Sequence, residues 1–556
     1  TMEFLLINHP LDCPICDQGG ECELQDVAMG YGEGVGKFTE GKRVVKDKDI
    51  GPLVATDMTR CIHCTRCVRF GEEIAGLREL GATGRGENME IGTYIEKSMV
   101  SELSGNVIDL CPVGALTAKP SRYTLRPWEL LQHRAVAPHD SVGSNIFGHS
   151  RDGEIMRVVP RENEEVNETW ISDRDRFSYR GVYSDDRLEK PMIKRDGEWA
   201  VAEWEEALQF AAEGLKDMVT AEGPEQLGAL ASPHSTLEEL YLLQKLTRAL
   251  GSGNVDHRLR HTDFSDQHLA PVMPWLGHGV QELDKVEAAL LVGSHIRHEA
   301  PIMANRLRTA ALAGGRISQI NPQRYPMTFD LFEERVAAPA QMISELAAVA
   351  KALGGEPVDN PALADLVDRS EVAVSHERMA ESLREAERPM VYLGALALAH
   401  HRASTLRSLA ALVAERAGGA LGYVPEAGNS AGAWLAGFVP HRGAAGAKAT
   451  EGQHWHEQFE KGLSAYWLHN IEPEFDSADP ALAKRALGQA RFVISTTPFA
   501  SDTMQEYADV ILPIGTFLET SGTYVNAEGY WQSMQGVARP VGESRPSWKV
   551  LRGMGN

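Results

Sequence analysis

In the second half of the chain, hydrophobic positions form short apolar runs separated by longer amphipathic stretches. One repeat starts with the apolar run Ala288–Val292, passes into the amphipathic stretch Ile302–Ala313 and returns to an apolar run at Arg316–Ile320. A strand, an amphipathic helix and a second strand make up the βαβ unit of parallel sheets. The pattern therefore predicts such a unit over residues 288–320.

The same alternation continues toward the end of the sequence. Its further members are Pro389–Leu393 with the helix-like stretch Ser404–Ala417, and the strand-like runs Leu463–Leu468, Arg491–Ser495 and Val510–Leu512. Strands that are apolar along their whole length suit a sheet that is buried on both faces. From about residue 191 onward we therefore expect a doubly wound α/β body with a mainly parallel sheet.

The apolar runs are too short to cross a membrane. Among the longest is Met390–Ala399, which suits a buried strand, whereas a bilayer needs roughly 20 apolar residues. The start of the sequence, Met2–Asn8, has no basic segment and no cleavage site of a secretory leader. The sequence therefore predicts no membrane span and no signal peptide.

Length and charge narrow the class of protein further. A chain of 556 residues is too long for one hydrophobic core, so several domains are expected. The formal net charge is −23, and nucleic-acid phosphates need a basic surface, so the charge argues against a nucleic-acid partner.

The cysteines are confined to the N-terminal part of the chain. All 7 fall within the first 111 residues, and they sort into two sets without a remainder. Cysteines at two-residue spacing in a chain without a secretory leader are typical of metal ligands in a reducing compartment. The two sets are Cys13, Cys16 and Cys22, and Cys61, Cys64, Cys67 and Cys111.

The second set matches the ligand pattern of a four-iron cluster. Cys61, Cys64 and Cys67 follow each other at two-residue spacing, and the remote Cys111 is followed by Pro112. This order is that of bacterial ferredoxins, whereas zinc sites usually group cysteines in two pairs. We expect a [4Fe–4S] cluster here, and basic residues that either offset its charge or form a solvated face: Arg60, Arg66, Arg69, Lys119 and Arg122.

The first set has three cysteines and needs a fourth ligand. His9 lies four residues before Cys13 and is the nearest candidate, and Gly19-Gly20 lets the loop fold closely. A neutral imidazole in place of a thiolate makes a cluster less negative and raises its potential, as in Rieske centres. A zinc site with one histidine and three cysteines remains the alternative.

The combined pattern resembles the large iron–sulfur subunits of respiratory complex I, the family of the bacterial G subunit and the mitochondrial 75-kDa subunit. H-x3-C-x2-C-x5-C is followed by C-x2-C-x2-C-x43-C, and the closest stretches are His9–Gly32, Thr59–Gly71 and Asn106–Pro120. The resemblance implies two [4Fe–4S] clusters. Their ligands would be His9, Cys13, Cys16 and Cys22 for one, and Cys61, Cys64, Cys67 and Cys111 for the other.

The resemblance also implies a function and partners. The chain would relay electrons from a flavin-bearing, NADH-binding subunit toward iron–sulfur and quinone-site subunits, with no catalytic residue of its own. It would lie peripherally on the cytoplasmic face of a bacterial inner membrane. Family members begin with a [2Fe–2S] domain that would precede this sequence and continue beyond its last residues, so we expect a fragment.

Two regions depart from the full family pattern. Many members carry a third cluster where this chain has Ala137, Asp140, Ser144 and Ser172, which are poor iron ligands, so that cluster is expected to be absent. The run from Thr496 to Asn526 resembles molybdopterin oxidoreductases. There we expect an inherited scaffold without molybdopterin rather than a cofactor site beneath Ser495–Thr497.

The sequence also leaves two alternative functions open and predicts where the domains begin and end. A molybdenum-dependent oxidoreductase of the formate dehydrogenase type is one alternative, and a zinc-stapled scaffold without redox function is another. Four domains are predicted: a [4Fe–4S] domain with histidine and cysteine ligands over 1–43, a ferredoxin-like [4Fe–4S] domain over 44–134, a small β domain without a cluster over 135–191, and the α/β domain over 192–556.

Overall fold

The computed structural model describes residues 1–555 and divides the chain into two compact units. The first unit comprises residues 1–134 and 145–179, and the second comprises residues 135–144 and 180–556. The stretch 135–191, expected as one small β domain, is thus shared between the two units.

Short elements make up the first unit. Its helices are α1 (Met2–Ile7), α2 (Glu23–Tyr31), α3 (Arg66–Arg69), α4 (Asn106–Leu110) and α5 (Asp173–Phe177). Its strands are β1 (Val54–Thr56), β2 (Leu80–Thr83), β3 (Glu90–Thr93), β4 (Leu116–Ala118), β5 (Leu131–Val136), β6 (Asn145–Arg151) and β7 (Glu154–Pro160), and β5 runs into the second unit. Helices this short depend on caps and loop contacts for their stability.

The pairing of β1 with β4 positions the second cysteine set. The two strands are antiparallel, with Val54 opposite Ala118 and Thr56 opposite Leu116. Cys61 follows β1 and Cys111 precedes β4, so this pairing brings the loop of the first three cysteines next to the remote fourth. The contact joins residues about sixty positions apart in sequence and is the long-range step on which the site depends.

The second unit consists of alternating helices and strands. Its helices are α6 (Trp204–Glu222), α7 (Leu237–Ala249), α8 (Ile296–Glu299), α9 (Pro301–Leu312), α10 (Pro339–Leu353), α11 (Pro361–Arg369), α12 (Val374–Glu385), α13 (Ala395–Leu398), α14 (Ala403–Ala417), α15 (Ser430–Leu435), α16 (Trp455–Lys461), α17 (Pro473–Asp476), α18 (Pro480–Gln489), α19 (Asp502–Tyr507) and α20 (Ser547–Met554). Its strands are β8 (Met192–Arg195), β9 (Glu198–Val201), β10 (Leu227–Ala231), β11 (Val255–Asp256), β12 (Ala288–Val292), β13 (Arg316–Asn321), β14 (Glu333–Val336), β15 (Met390–Leu393), β16 (Ala420–Tyr423), β17 (Ala465–His469), β18 (Phe492–Thr497), β19 (Val510–Pro513), β20 (Gly522–Val525) and β21 (Trp531–Met534).

The predicted α/β class is confirmed, but the strands form two main sheets instead of one. The first has the order β11-β10-β17-β18-β19-β8-β9 and is parallel except for the antiparallel edge pair β8 and β9. The second has the order β14-β13-β12-β15-β16 and is parallel throughout. The sequence pattern identifies each strand but carries no information on which strands pair, so the separation into two sheets was not foreseen.

One expected strand is shorter than its apolar run. The strand that begins at Met390 ends at Leu393, and the helix α13 begins at Ala395, after Gly394. Val391 and Leu393 of the strand and Ala397 and Leu398 of the helix are buried in the core around the five-stranded sheet, whereas Leu396 is exposed. An apolar run cannot by itself distinguish a buried strand from a buried helix, which explains the overestimate for Met390–Ala399. Within residues 1–555, the structure contains no helix long and apolar enough to cross a bilayer.

A buried ion pair ties together distant segments of the second unit. The guanidinium of Arg187 contacts the Glu519 carboxylate at 2.6 Å and donates to the carbonyl oxygens of Pro498 and Ile514 at 2.9 and 3.0 Å. Both side chains are almost completely buried. A buried charge left without its partner is strongly unfavourable, so each member needs the other.

We expect Arg187→Met to destabilise the second unit by about 3 to 5 kcal/mol, because the buried carboxylate of Glu519 would lose its countercharge. The measurement is the free energy of urea unfolding. Arg195→Gln is the control, since its ion pair with Glu206 is about half exposed and should change the free energy by no more than about 1 kcal/mol. If both variants lost the same free energy of unfolding, the assignment of Arg187 and Glu519 as a stabilising buried ion pair would be wrong.

Candidate metal-binding site

The second cysteine set lies on two loops of the first unit. Cys61 follows a turn at Met58–Arg60, Cys64 is exposed in the next loop, and Cys67 is buried within α3. Cys111 is buried at the C-terminal cap of α4. The four cysteines predicted to act together are therefore brought to one place by the pairing of β1 with β4.

The loop backbone adopts an unusual conformation between these cysteines. His63 and Thr65 have positive φ angles of 55° and 60°, the left-handed region that non-glycine residues rarely occupy. The His63 N–H donates to the sulfur of Cys61 over 3.4 Å. Left-handed residues turn successive N–H groups inward, which creates a concave surface for anionic sulfur. His63 thus acts on Cys61 through its main chain.

The pKa shifts in the second set show that its four cysteine side chains lie near each other. Burial raises the pKa of Cys67 to about 12, and the neighbouring Cys111, Cys61 and Cys64 add to the rise. Burial also raises the pKa of Cys111 to about 11, although backbone N–H groups of the following loop oppose the shift. Without a metal, Cys67 and Cys111 are thiols at neutral pH, mainly because burial disfavours the thiolate and also because neighbouring thiolates repel each other.

The first set has two buried cysteines and one exposed cysteine. Cys13 is exposed, whereas Cys16 and Cys22 are buried. The sulfur of Cys22 caps α2 by accepting a hydrogen bond from the Gln25 N–H at 3.4 Å. Burial raises the pKa of Cys22, and Cys16 and Cys13 raise it further, so the three thiols lie close together.

His9 has the environment of a metal-ligating histidine. Burial lowers its pKa, so the ring is neutral at physiological pH, and a backbone hydrogen bond at Arg60 opposes the shift. Its Nδ1 is buried and has no hydrogen-bond partner within the described chain. Ligating histidines commonly hydrogen-bond a backbone carbonyl through the ring nitrogen that does not bind the metal. The ring of His9 therefore fits the fourth position of the first set.

Gly114 allows the loop after Cys111 to contact the first set. A Cβ atom at Gly114 would lie 2.1 Å from the sulfur of Cys16, so no residue other than glycine fits without displacing that sulfur. The carbonyl of Gly114 accepts a hydrogen bond from Arg60 at 3.3 Å. Sequence reasoning missed this residue, because its only local signal is a glycine shortly after a cysteine.

The basic residues expected around the second set have different environments. Arg66 pairs with Glu23, which is the main reason for its raised pKa, and Cys64 and Cys111 contribute to the rise. Arg69 is exposed and pairs with Glu73. Lys119 and Arg122 pair with carboxylates, Asp49 and Asp57 respectively.

Arg60 lies next to the first set. Burial disfavours its charge, but Cys16, Asp57 and Asp12 together raise its pKa. The side chain of Arg60 thus lies beside the first set, although its sequence neighbour Cys61 belongs to the second. This differs from the expectation that Arg60 lies around the second set. Spacing along the chain places Arg60 beside Cys61 but says nothing of the direction of its side chain.

The two sets suit clusters of several iron ions. Cysteine thiolates and one neutral imidazole are ligands of iron–sulfur clusters, and the orphaned Nδ1 of His9 and the inward-facing loops fit that group. In the part of the chain that the structure describes, no three side chains of His, Cys, Asp or Glu converge on a single-ion position. A four-iron cluster is larger than one ion, and its ligands stand further apart.

The positions expected of a third cluster carry ordinary hydrogen bonds. The Asp140 carboxylate accepts from the Val142 N–H at 3.0 Å, and Ser144 and Ala137 are joined through their main chains at 2.9 Å, all within the second unit. In the first unit, the Ser172 hydroxyl caps α5 by accepting from the Asp175 N–H. The side chains of Asp140 and Ser172 stabilise a turn and a helix end, the Ser144 hydroxyl is buried without a partner among the described residues, and none of the four positions offers a thiolate to iron.

The carboxyl edge of the seven-stranded sheet is filled by its own side chains. Ser495, Thr496 and Thr497 are buried at the end of β18. The hydroxyl of Thr496 contacts Nδ1 of His469 at 2.8 Å, and Nε2 of His469 contacts the hydroxyl of Ser547 at 3.3 Å. Thr496 thus makes its hydrogen bonds within the chain, whereas the hydroxyl of Ser495 is buried and has no hydrogen-bond partner among the described residues.

The five-stranded sheet closes its crevice in a similar way. Strand order reverses between β12 and β15, the place where open α/β sheets bind nucleotides. A Cβ atom at Gly394 would lie 2.3 Å from Cβ of Ser294, so the two loops touch there. The Glu299 carboxylate accepts from Ser294, from the His295 N–H and from the Ala395 N–H at the start of α13. The Glu299 carboxylate therefore takes up N–H groups at this edge that an anionic ligand could otherwise use.

Comparison with known families assigns four regions of the chain. Residues 1–34 match the NADH-ubiquinone oxidoreductase-G iron-sulfur binding region, and residues 51–117 match the ferredoxin-like domain of NADH-quinone oxidoreductase subunit 3. Residues 133–180 match the NDSU1/NuoG-like 4Fe-4S domain of NADH-ubiquinone oxidoreductase. Residues 187–556 match molybdopterin oxidoreductase.

Several curated proteins are similar over almost the whole chain. The G subunit of the NADH-quinone oxidoreductase of Rickettsia bellii is 34% identical over 99% of this chain and 73% of its own length. The corresponding protein of Rickettsia felis is 35% identical over 99% of this chain and 74% of its length. The mitochondrial NADH-ubiquinone oxidoreductase 78 kDa subunit of Neurospora crassa is 36% identical over 99% of this chain and 68% of its length.

A solved structure supports the fold. Acetylene hydratase from Pelobacter acetylenicus matches with a TM-score of 0.52 at 15% identity, and the match covers 76% of this chain and 68% of that protein. At this identity the similarity concerns the fold alone.

We expect Gly114→Ala to cost the first set its metal, because the new Cβ atom would displace the sulfur of Cys16. Iron and sulfide should fall by about half while the second set keeps its cluster, as measured by metal analysis and by electron paramagnetic resonance (EPR) of the reduced protein. Gly81→Ala is the control, since a Cβ atom there meets nothing within 4 Å. Full iron content in Gly114→Ala would refute the close contact.

We expect iron uptake by the second set to strengthen as pH rises from about 6 to 9. The pKa of Cys67 is raised to about 12 and that of Cys111 to about 11, so both are thiols in the metal-free chain and must lose protons to bind iron. Reconstitution of metal-free protein with ferrous iron and sulfide at several pH values measures this. Uptake that is independent of pH would contradict the raised pKa values.

Proposed function

The chain belongs to the family of the G subunits of NADH–quinone oxidoreductase, respiratory complex I, whose members act in iron–sulfur electron transfer, and from that premise we propose its specific part in the complex. It holds two [4Fe–4S] clusters and passes electrons from the NADH-oxidising, flavin-bearing partner toward quinone. The proposed ligands are His9, Cys13, Cys16 and Cys22 for one cluster, and Cys61, Cys64, Cys67 and Cys111 for the other.

The observation that carries this proposal is the environment of His9. A buried, neutral imidazole whose Nδ1 has no partner in the described chain is costly unless something absent from the polypeptide binds it. The three neighbouring thiols of the first set supply the remaining ligands. A bound cluster would take up and release one electron at a time, while the protein fixes its position, its surroundings and its potential.

The chain also provides a short connection between the two ligand sets. His9 hydrogen-bonds the backbone of Arg60, and Arg60 is joined by its peptide bond to Cys61. A ligand of one proposed cluster thus reaches a ligand of the other through one hydrogen bond and one residue. Electrons tunnel more readily along bonded atoms than across empty space, which supports transfer between the two clusters by this route.

The α/β body is proposed to act without a cofactor of its own. Three features support this proposal, since they are contacts within the chain at sheet edges where such folds bind nucleotides. They are the contact of Gly394 with Ser294, the Glu299 carboxylate at the start of α13 and the buried group around Thr496. The body would then act as a structural scaffold.

Partners and location follow from membership in the complex. We place the chain in a peripheral position on the cytoplasmic face of a bacterial inner membrane, in contact with the NADH- and flavin-binding subunit and with iron–sulfur and quinone-site subunits. The strongly negative net charge agrees with protein partners rather than nucleic acid.

We expect His9→Cys to retain the first cluster but to lower its midpoint potential, because a thiolate adds negative charge to the cluster. His9→Ala should lose the cluster or change its spectrum. Both are measured by redox titration followed by EPR.

Cys64→Ala is the matched control, because it should remove only the second cluster and block electron flow from NADH to quinone in the assembled complex. If His9→Ala left the spectrum and the potential of the first cluster unchanged, the assignment of His9 as a ligand would be wrong.

A further inference from the structure

Arg60 is an almost completely buried cation, 3% exposed, at the point where the two cysteine loops meet. It directly precedes Cys61, a proposed ligand of the second cluster. Its side chain nevertheless leaves that loop and enters the loop of the first cluster. Arg60 is therefore a sequence neighbour of a ligand of the second cluster, but its side chain lies beside the ligands of the first.

The contacts of Arg60 define its orientation. Its Nε donates to the Asp12 carboxylate at 3.1 Å, next to Cys13, and one terminal nitrogen donates to the Gly114 carbonyl at 3.3 Å. Gly114 is the residue that packs against the sulfur of Cys16, and the Cβ position of Gly114 is 3.7 Å from Cδ of Arg60. The side chain of Arg60 and the sulfur of Cys16 therefore both lie next to the position that a Cβ atom at Gly114 would occupy.

Resting on the proposed function, we propose that Arg60 is a positioning residue whose buried charge raises the midpoint potential of the cluster bound by His9, Cys13, Cys16 and Cys22. Reduction adds one negative charge to that cluster, and a fixed cation nearby stabilises the added charge. Little water reaches Arg60, so its field is only weakly screened.

The other arginines near the cysteines differ from Arg60 in burial and in direction. Arg66 is about half exposed, pairs with Glu23 and acts on Cys64 and Cys111 of the second set. Arg69 is mostly exposed and is bound to Glu73 by both nitrogens of its fork. The chain therefore provides one arginine for each cluster and a third as a solvent-exposed control.

The carboxylates around Arg60 offset part of its charge. Asp57 lies 3.0 Å from its guanidinium and also pairs with Arg122, and the main electrostatic neighbours of Asp57 are Arg60, Arg122 and Asp47. Removing the charge of Asp57 would leave Arg60 less compensated. This gives a second variant that acts in the direction opposite to the loss of Arg60.

The test is a redox titration of the purified 556-residue chain carrying its clusters, with each cluster followed by its own EPR signal. Arg60→Gln should lower the midpoint potential of the His9-bearing cluster and leave the four-cysteine cluster unchanged. Arg60→Lys keeps the charge, so the midpoint potential of its His9-bearing cluster should remain closer to that of the parent chain. Arg66→Gln should affect only the four-cysteine cluster, and Arg69→Gln should affect neither.

Iron analysis of the parent chain distinguishes a failure of this inference from a failure of the proposed function. If the parent chain did not hold two clusters, the proposed function would be wrong, and the potentials of the variants would not be compared. Equal shifts in Arg60→Gln and Arg60→Lys, or a shift of the four-cysteine cluster in Arg60→Gln, would overturn the inference. If Arg60→Gln fails to hold the first cluster, Asp57→Asn decides: a raised potential of the first cluster supports the role of Arg60, and an unchanged or lowered potential refutes it.

Discussion

The cost of gathering several ionisable sulfurs in a protein interior is the constraint on which the first unit depends. Burial and mutual repulsion hold these groups in the neutral thiol form, as the raised pKa values of Cys67 and Cys111 show. The loops reduce that cost with inward-facing N–H groups, a neutral histidine and a buried arginine, and a metal removes the rest by replacing the protons. The short helices and two-residue turns around the sites have little stability of their own. Their order therefore follows from the ligands they carry as much as from packing.

The sequence predicted the parts of the structure that depend on local spacing. The strands Ala288–Val292 and Val510–Pro513 lie where apolar runs were found, because a buried strand leaves a short uninterrupted apolar signature. The two cysteine sets were also recognisable, since their ligands are mostly a few residues apart. The contact of Gly114 with Cys16 and the direction of the Arg60 side chain were not, because they depend on how distant loops meet. Strand pairing into two sheets escaped prediction for the same reason.

In the α/β body, polar side chains of the chain lie at the sheet edges where such folds bind nucleotides. Its parallel sheets, and its similarity in fold to a molybdopterin enzyme, preserve the crevices at which such folds bind nucleotides. At one crevice a carboxylate, Glu299, takes the hydrogen bonds at a helix start that a phosphate could accept. At the edge of the seven-stranded sheet, the side chains of His469 and Thr496 form a hydrogen bond with each other. Buried polar groups at these edges need partners whether or not a ligand is present. Side chains of the same chain provide a partner for Thr496, whereas the hydroxyl of Ser495 has none among the described residues.

The arrangement around Arg60 links the two ligand sets in a way that neither set shows alone. Its backbone hydrogen-bonds His9, its side chain approaches Cys16, and its peptide bond leads to Cys61. A shift of this one residue would therefore alter both the charge near one set and the distance to the other. Residues that interact in one network do not contribute independently, so changes at Arg60 and His9 should be strongly non-additive. The close spacing that suits electron transfer thus also makes the two loops a single structural unit, and the β1–β4 pairing is the element that holds them together.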